Sequence, residues 1–175
     1  MKSWNSLFAK TDIRTYTIDI FKKIDKDWFL ITAGDEKLFN TMTASWGTMG
    51  TLWNKSVVIC FVRPVRYTFD FIDNVDIFTC SFLGKEHKKI LSYCGAHSGR
   101  DADKIKITGL APLQLENGGI SFEQSETVIE CKKIYFDDIK PVFILPEEID
   151  DEFYPNKDYH RMFIGEVQTI YKKTR

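Results

Sequence analysis

A β-barrel with short helices inserted between its strands is the fold class this sequence predicts, and three observations predict it. Apolar runs of strand length recur along the chain, punctuated by Gly, Pro and Asn. The last third reads mainly as strands, with Asn117-Gly118-Gly119 as a hairpin signal between two of them. The run Ser56 to Val62 is apolar on both faces, as a strand is inside a closed barrel or under a second layer. At 175 residues, the chain is sized for one domain, residues 1–175, with a sizeable core.

Taken in order, the first 26 residues are mixed. Trp4, Leu7 and Phe8 are candidates to dock on the body or on a partner subunit, and Thr15 to Phe21 alternates loosely enough for a first strand. Trp28 to Ala33 is a better strand, ended by a Gly34-Asp35 turn. Asn54-Lys55 is the turn before the strand Ser56 to Val62, which Arg63-Pro64 terminates because proline lacks the ladder donor. A short helix over Phe69 to Asn74 follows, with Thr68 as its expected N-cap. Ile77 to Leu83 is a strand that sends Phe78, Cys80 and Phe82 to one face and Thr79, Ser81 and Leu83 to the other. Lys85 to Cys94 reads as a helix stopped by Gly95, with Ile90, Leu91 and Cys94 inward and Lys88 and Lys89 outward. Ser98 or Asp101 is expected to cap the next short helix, which ends at Gly109. The hairpin strands Pro112 to Glu116 and Ile120 to Glu123 precede a long strand, Thr127 to Phe136, whose imperfect alternation predicts a bulge. A short acidic helix opens at Pro146. His160 to Tyr171 closes the chain as a strand, with Phe163, Val167, Thr169 and Tyr171 expected on one face.

Composition narrows the function classes. The 24 Lys+Arg nearly cancel the 25 Asp+Glu, which argues against binding nucleic acid or a membrane surface through bulk charge. No run approaches the ~20 apolar residues of a membrane helix, and MKSWNSLFAK lacks the apolar core of a signal peptide. Cys60, Cys80, Cys94 and Cys131 form no CxxC pair and have no histidine at zinc-ligand spacing, so no metal site is expected. They read as reduced, mostly buried thiols, which makes the cytoplasm the expected compartment.

Four polar constellations carry the candidate chemistry. The first is Asn40 to Gly50, NTMTASWGTMG, hydroxyl-rich and free of charge between apolar strands. Buried hydroxyls need partners, and theirs are one another, the backbone or a ligand; an ordinary β-edge rich in threonine fits the pattern too. The second, Arg63, Arg66, Tyr67 and Thr68, sits at a helix start, where free N–H groups and arginine together suit an anion. Surface arginines beside an N-cap are its bland reading. The third, Ser98, Gly99, Arg100, Asp101 and Lys104, repeats that combination, against a plain capped helix. The fourth is His160-Arg161 at the head of the last strand, where a structural histidine is the alternative. Serine-nucleophile elbows, paired carboxylates and Gly-rich phosphate loops do not stand out, so in an enzyme reading the hard chemistry belongs to a bound cofactor.

The ordered set N-T-M-T-A-S-W-G, V-R-P-x-R-Y-T, F-T-C-S-F, S-G-R-D-x-D-K and H-R-M-F-I-G-E resembles the flavin reductase-like, FMN-binding split-barrel family, and within it the flavoredoxins. The resemblance covers residues 28 to 172, with little of it in Asp137 to Tyr159. It implies a mainly β fold, a six-stranded antiparallel Greek-key barrel, a homodimer, and FMN held noncovalently near the dimer interface. It places Asn40, Thr41, Met42, Thr43, Ala44, Ser45 and Trp46 along the flavin, and Arg66 and Thr68, with Arg63, at the phosphate or ribityl chain. Ser81 lies on a strand that passes the flavin in similar proteins. Lys104, with Ser98 and Arg100, would complete the phosphate site, and His160 would stand near the flavin, from the other subunit in one reading.

The activity so implied is hydride or electron transfer from NAD(P)H, a transient co-substrate, through FMN to free flavin, a ferric complex or a partner protein. The flavin N5 would carry the chemistry, with no catalytic side chain. An electron carrier without its own NAD(P)H reductase activity, and a non-flavin binding module on the same barrel, are the rival classes.

Overall fold

The computed structural model describes residues 3–174, and one curled antiparallel sheet organises it. Its strands start with β1 (Phe8–Thr11), β2 (Phe29–Gly34), β3 (Phe39–Ala44), β4 (Gly47–Leu52), β5 (Lys55–Val62) and β6 (Ile77–Leu83). A separate ribbon, β7 (Pro112–Gln114) and β8 (Ile120–Phe122), precedes the two long strands β9 (Ser125–Asp138) and β10 (Arg161–Lys173). The helices are short: α1 (Ile20–Lys22), α2 (Tyr67–Asn74), α3 (Lys88–Ala96), α4 (Lys104–Thr108) and α5 (Glu147–Phe153).

The sheet order is β3-β2-β6-β9-β10-β5-β4, with β1 on β10. Its two edge strands, β3 and β4, are consecutive in the chain and joined only by Ser45 and Trp46. The sheet therefore has to curl until its edges meet at that corner. The sheet thus has eight strands, all of its pairings antiparallel. Strand β10 pairs with β9 along its length, with β5 through Arg161 to Glu166, and with β1 through Ile170 to Lys173.

Two irregularities let β10 serve all three partners. Ile134 is skipped in the β9 register, the bulge expected there, and Gln168 is skipped in β10. The Gln168 bulge reverses the side-chain parity. Phe163, Val167 and Ile170 face the barrel interior, whereas Tyr171 packs with Phe8, Leu113, Leu115 and Val128 outside it. The single face expected for Phe163 through Tyr171 is thus corrected. Gly165 lies between these bulges, and a Cβ there would come within 2.5 Å of the Phe78 ring and 2.7 Å of Cys131 Cβ.

The interior is filled from all sides by Phe29, Ile31, Val58, Phe78, Phe82, Ile129 and Phe163, with Cys60, Cys80 and Cys131 among them. Leu30, Leu83, Leu91, Cys94, Leu110 and Phe122 form a second cluster under α3. All four cysteines are free and buried. Strand β6 splits as expected: Thr79 and Ser81 turn away from Phe78 and Cys80, toward the carbonyl of Ile120 and the hydroxyl of Ser121. Trp4 docks edge-on against Tyr171 at 5.1 Å.

Other local expectations shift. Thr15 to Phe21 is not a strand; Asp19 accepts from the Lys22 amide and caps α1, which runs into a wide turn over Lys23–Asp27. Trp28 has φ 66°, so β2 begins one residue later, at Phe29. The β4–β5 turn is Trp53-Asn54, with φ 52° and 58°, rather than Asn54-Lys55. That is the positive-φ pair that matches strand twist. Helix α3 continues through Gly95 to Ala96, and Lys88 folds inward to lie 3.4 Å over the Trp28 ring. Among the described residues, no helix is long and apolar enough to cross a membrane.

Candidate functional site

A cleft of about 660 Å³ opens where β3 ends, α2 begins, α3 runs out and β10 starts. Every one of these is a chain terminus of an element, so each contributes loop side chains or unpaired backbone groups. Met42, Thr43, Ala44, Ser45, Trp46, Arg63, Arg66, Thr68, Ser98, Lys104 and His160 line it, as do Tyr67, His97 and Asp101. Four segments far apart in sequence are thus brought together.

Four of the sequence candidates stand elsewhere. Asn40, Thr41 and Arg100 line a second cleft of about 370 Å³, on the far side of Gly99 and Lys104. Ser81 reaches neither; it is fully buried and its hydroxyl lies 2.9 Å from that of Ser121. Face alternation separated Ser81 from Cys80, but it could not tell which side of the sheet holds the cleft. Asn40 works from behind: its Nδ2 donates 2.7 Å to Thr68 Oγ1, and its side chain packs against Gly99 where a Cβ would collide.

Two expected caps are also corrected. The N-cap position of α2 is Arg66, whose guanidinium has no acceptor to cap with, and Thr68 lies inside the helix, where its hydroxyl accepts from Asn40. The Phe69 amide donates 2.9 Å to the Arg66 carbonyl, and no side chain caps the first turn of α2. Helix α4 is capped by Asp103, whose Oδ1 accepts from the Lys106 amide at 3.0 Å, rather than by Ser98 or Asp101.

The cations differ in how they are held. Arg63 is engaged, donating to Asp158 at 3.1 Å and to the Phe153 carbonyl at 2.6 Å. Arg100 pairs with Asp70 at 2.6 Å and lies over Tyr67. Arg66 is exposed and donates 2.8 Å to the Gly95 carbonyl, leaving most of its fork open. Lys104 is 5% exposed. Its Nζ donates 2.8 Å to the Thr41 carbonyl and 3.1 Å to the Cys94 carbonyl, with no carboxylate partner among the described residues. Burial lowers its pKa from the usual lysine value; the neighbouring Cys94 thiol opposes the shift and Arg66 adds to it. A third ammonium hydrogen remains for the cleft.

The opposite wall is aromatic. The His160 ring lies 4.8 Å from that of Trp46, which meets Phe153 edge-on at 5.4 Å. His160 Nδ1 is 3.0 Å from the hydroxyl of buried Tyr154. Burial, then the Arg63 charge, pull the His160 pKa down to about 4. Asp158 Oδ1 is buried and has no hydrogen-bond partner among the described residues. Sequence reasoning assigned no role to Tyr154, Phe153 and Asp158, which lie where the motif set is silent.

The chain belongs to the flavin reductase like domain family, whose sequence model matches residues 21–175. No curated protein sequence matches it. Among solved structures it is similar to an FMN-binding protein from Thermus thermophilus with bound p-hydroxybenzaldehyde, at TM-score 0.67 and 17% identity, covering 94% of this chain and 81% of that one. It is also similar to the flavoredoxin of Desulfovibrio vulgaris (Miyazaki F), at TM-score 0.64 and 21% identity over 93% and 75% of the two chains. An NADH:FAD oxidoreductase of Streptomyces globisporus C-1027 matches at TM-score 0.63 and 16% identity over 85% and 78%. The fold is that of the FMN-binding split barrels, mainly antiparallel β with short inserted helices.

Proposed function

We propose that this protein is an FMN-binding oxidoreductase that takes hydride or electrons from NAD(P)H and passes them to free flavin, a ferric complex or a partner protein. The observation that carries the reading is Lys104, a buried ammonium with no carboxylate partner among the described residues, on the wall of a ligand-sized cleft. A buried charge is costly unless something pairs with it. A phosphate monoester close to a dianion is a suitable complement, with Arg66 and the first turn of α2 lining the same cleft.

In this reading Lys104 and Arg66 hold the phosphate. Ser98 and Thr68 stand beside it, and Asn40 keeps Thr68 in place. Thr43, Ala44 and Ser45 line the ribityl and ring edge, and Trp46 and His160 wall the far end. Arg63 braces that wall through Asp158 and Phe153 instead of touching phosphate. FMN, when bound, supplies the redox chemistry at its ring N5. The chain's part is to orient the ligand and to exclude water from one of its faces.

The reading treats residues 1–175 as one domain of a homodimer. Exposed Phe21, Leu38, Trp53, Val142, Phe143 and Leu145 support a further apolar interface. Buried free cysteines support a cytoplasmic setting.

Anaerobic mixing of FMN-loaded protein with NADH, and separately with NADPH, tests the activity. Rapid loss of the visible flavin band with either donor is the expected result. Retention of the band with both donors would remove the reductase activity and leave an FMN-dependent electron carrier.

A further inference from the structure

The far wall of the cleft contains a hydrogen-bonded pair that the phosphate side does not explain. Tyr154 is 3% exposed, on the segment after α5. Its hydroxyl has one side-chain partner among the described residues, His160 Nδ1 at 3.0 Å. Two arrangements satisfy that distance. If Nδ1 carried the proton and donated, the phenol hydrogen would be buried without an acceptor, which costs the desolvation of a hydroxyl. If the phenol donates, Nδ1 is the acceptor, both groups are satisfied, and the imidazole hydrogen has to reside on Nε2.

We infer that Tyr154 is a positioning residue that fixes His160 in the Nε2–H tautomer, so that the cleft meets a neutral N–H donor. The group that His160 holds is then an acceptor oxygen, such as a ring carbonyl or a carboxamide oxygen of the cleft ligand. This assignment rests on the flavin-binding reading for its ligand, but not for its tautomer. The surroundings keep the ring neutral: Arg63 and Arg66 disfavour an imidazolium, burial does the same, and Asp158 alone opposes them. Packing against Trp46 at 4.8 Å with an interplanar angle of 45° fixes the ring plane. Nε2 has no protein partner among the described residues, which leaves its hydrogen for a ligand.

The test is long-range ¹H–¹⁵N NMR of protein labelled in its three histidines, with His160 assigned from His160→Gln. The wild type should show His160 protonated on Nε2 alone at neutral pH, in the absence of flavin. Tyr154→Phe, which removes only the hydroxyl, should show both tautomers and a histidine that titrates at higher pH. An Nδ1–H tautomer in the wild type would overturn the inference, and so would an unchanged tautomer in folded Tyr154→Phe. The wild-type spectrum decides the tautomer even where the variant fails to fold, and an Nδ1–H signal there is enough to overturn the inference. On the ligand side, Tyr154→Phe should weaken FMN binding or slow its reduction by NADH about three- to ten-fold, the size of one hydrogen bond. Tyr154→Phe/His160→Gln should behave as His160→Gln alone, because Tyr154 acts through His160; additive losses would contradict that. FMN titration of the wild type separately decides whether flavin binds at all.

Discussion

Lys104 gives the site its chemical sense at the scale of single residues. Replacing it with Met removes the buried charge and keeps the bulk. Lys104→Met should weaken FMN binding about ten- to hundred-fold, because a hydrogen bond to a charged group contributes about 1.5–3 kcal/mol. Arg66→Ala should cost less, about two- to five-fold, since its guanidinium is solvated. Fluorescence titration of FMN against each variant measures both, and unchanged affinity in Lys104→Met would remove Lys104 from the phosphate site. His160 makes a different prediction, on stability. Its folded pKa, about 4, lies below the ordinary 6.5, so the unfolded chain binds the proton more readily between those values. The contribution is fully present above pH 6.5 and is lost as pH falls through about 4. Urea midpoints at pH 7 and pH 4.5 should therefore differ more in the wild type than in His160→Gln.

At the scale of elements, Gly165 shows how the bulged strand is held. Gly165→Ala pushes a methyl group into the Phe78 ring and Cys131, and should destabilise by about 1–3 kcal/mol in equilibrium urea unfolding. The same strand shows where sequence stops being legible. The alternation of β6 was readable because no residue interrupts it, and so was the hairpin at Asn117-Gly118-Gly119, where turn chemistry is local. The faces of β10 were not, because one skipped residue, Gln168, reverses the parity and is set by pairing with β9. Likewise Trp53 gives no sequence sign of positive φ; the two-residue connection between β4 and β5 imposes it. The start of α1 was missed because Asp19 caps a turn inside a stretch that also alternates.

The whole molecule brings the motifs together by curling one sheet until β3 and β4 share a corner at Ser45 and Trp46. The motif order was legible in the sequence, and eleven of the fifteen proposed site residues line the main cleft. Those outside it have tertiary reasons. Asn40 and Thr41 face the neighbouring cleft, Arg100 is drawn to Asp70, and Ser81 is covered by the β7–β8 ribbon. Tyr154 lay beyond reach because its link to His160 depends on the loop after α5. Everything above turns on whether this cleft holds FMN. A visible absorption spectrum of the folded protein, loaded with FMN and desalted, tests it most directly. A retained flavin spectrum, close to one FMN per chain, is the expected result. A colourless protein with intact circular dichroism would contradict it, and the buried ammonium of Lys104 would then serve only to tie the carbonyls of Thr41 and Cys94 together.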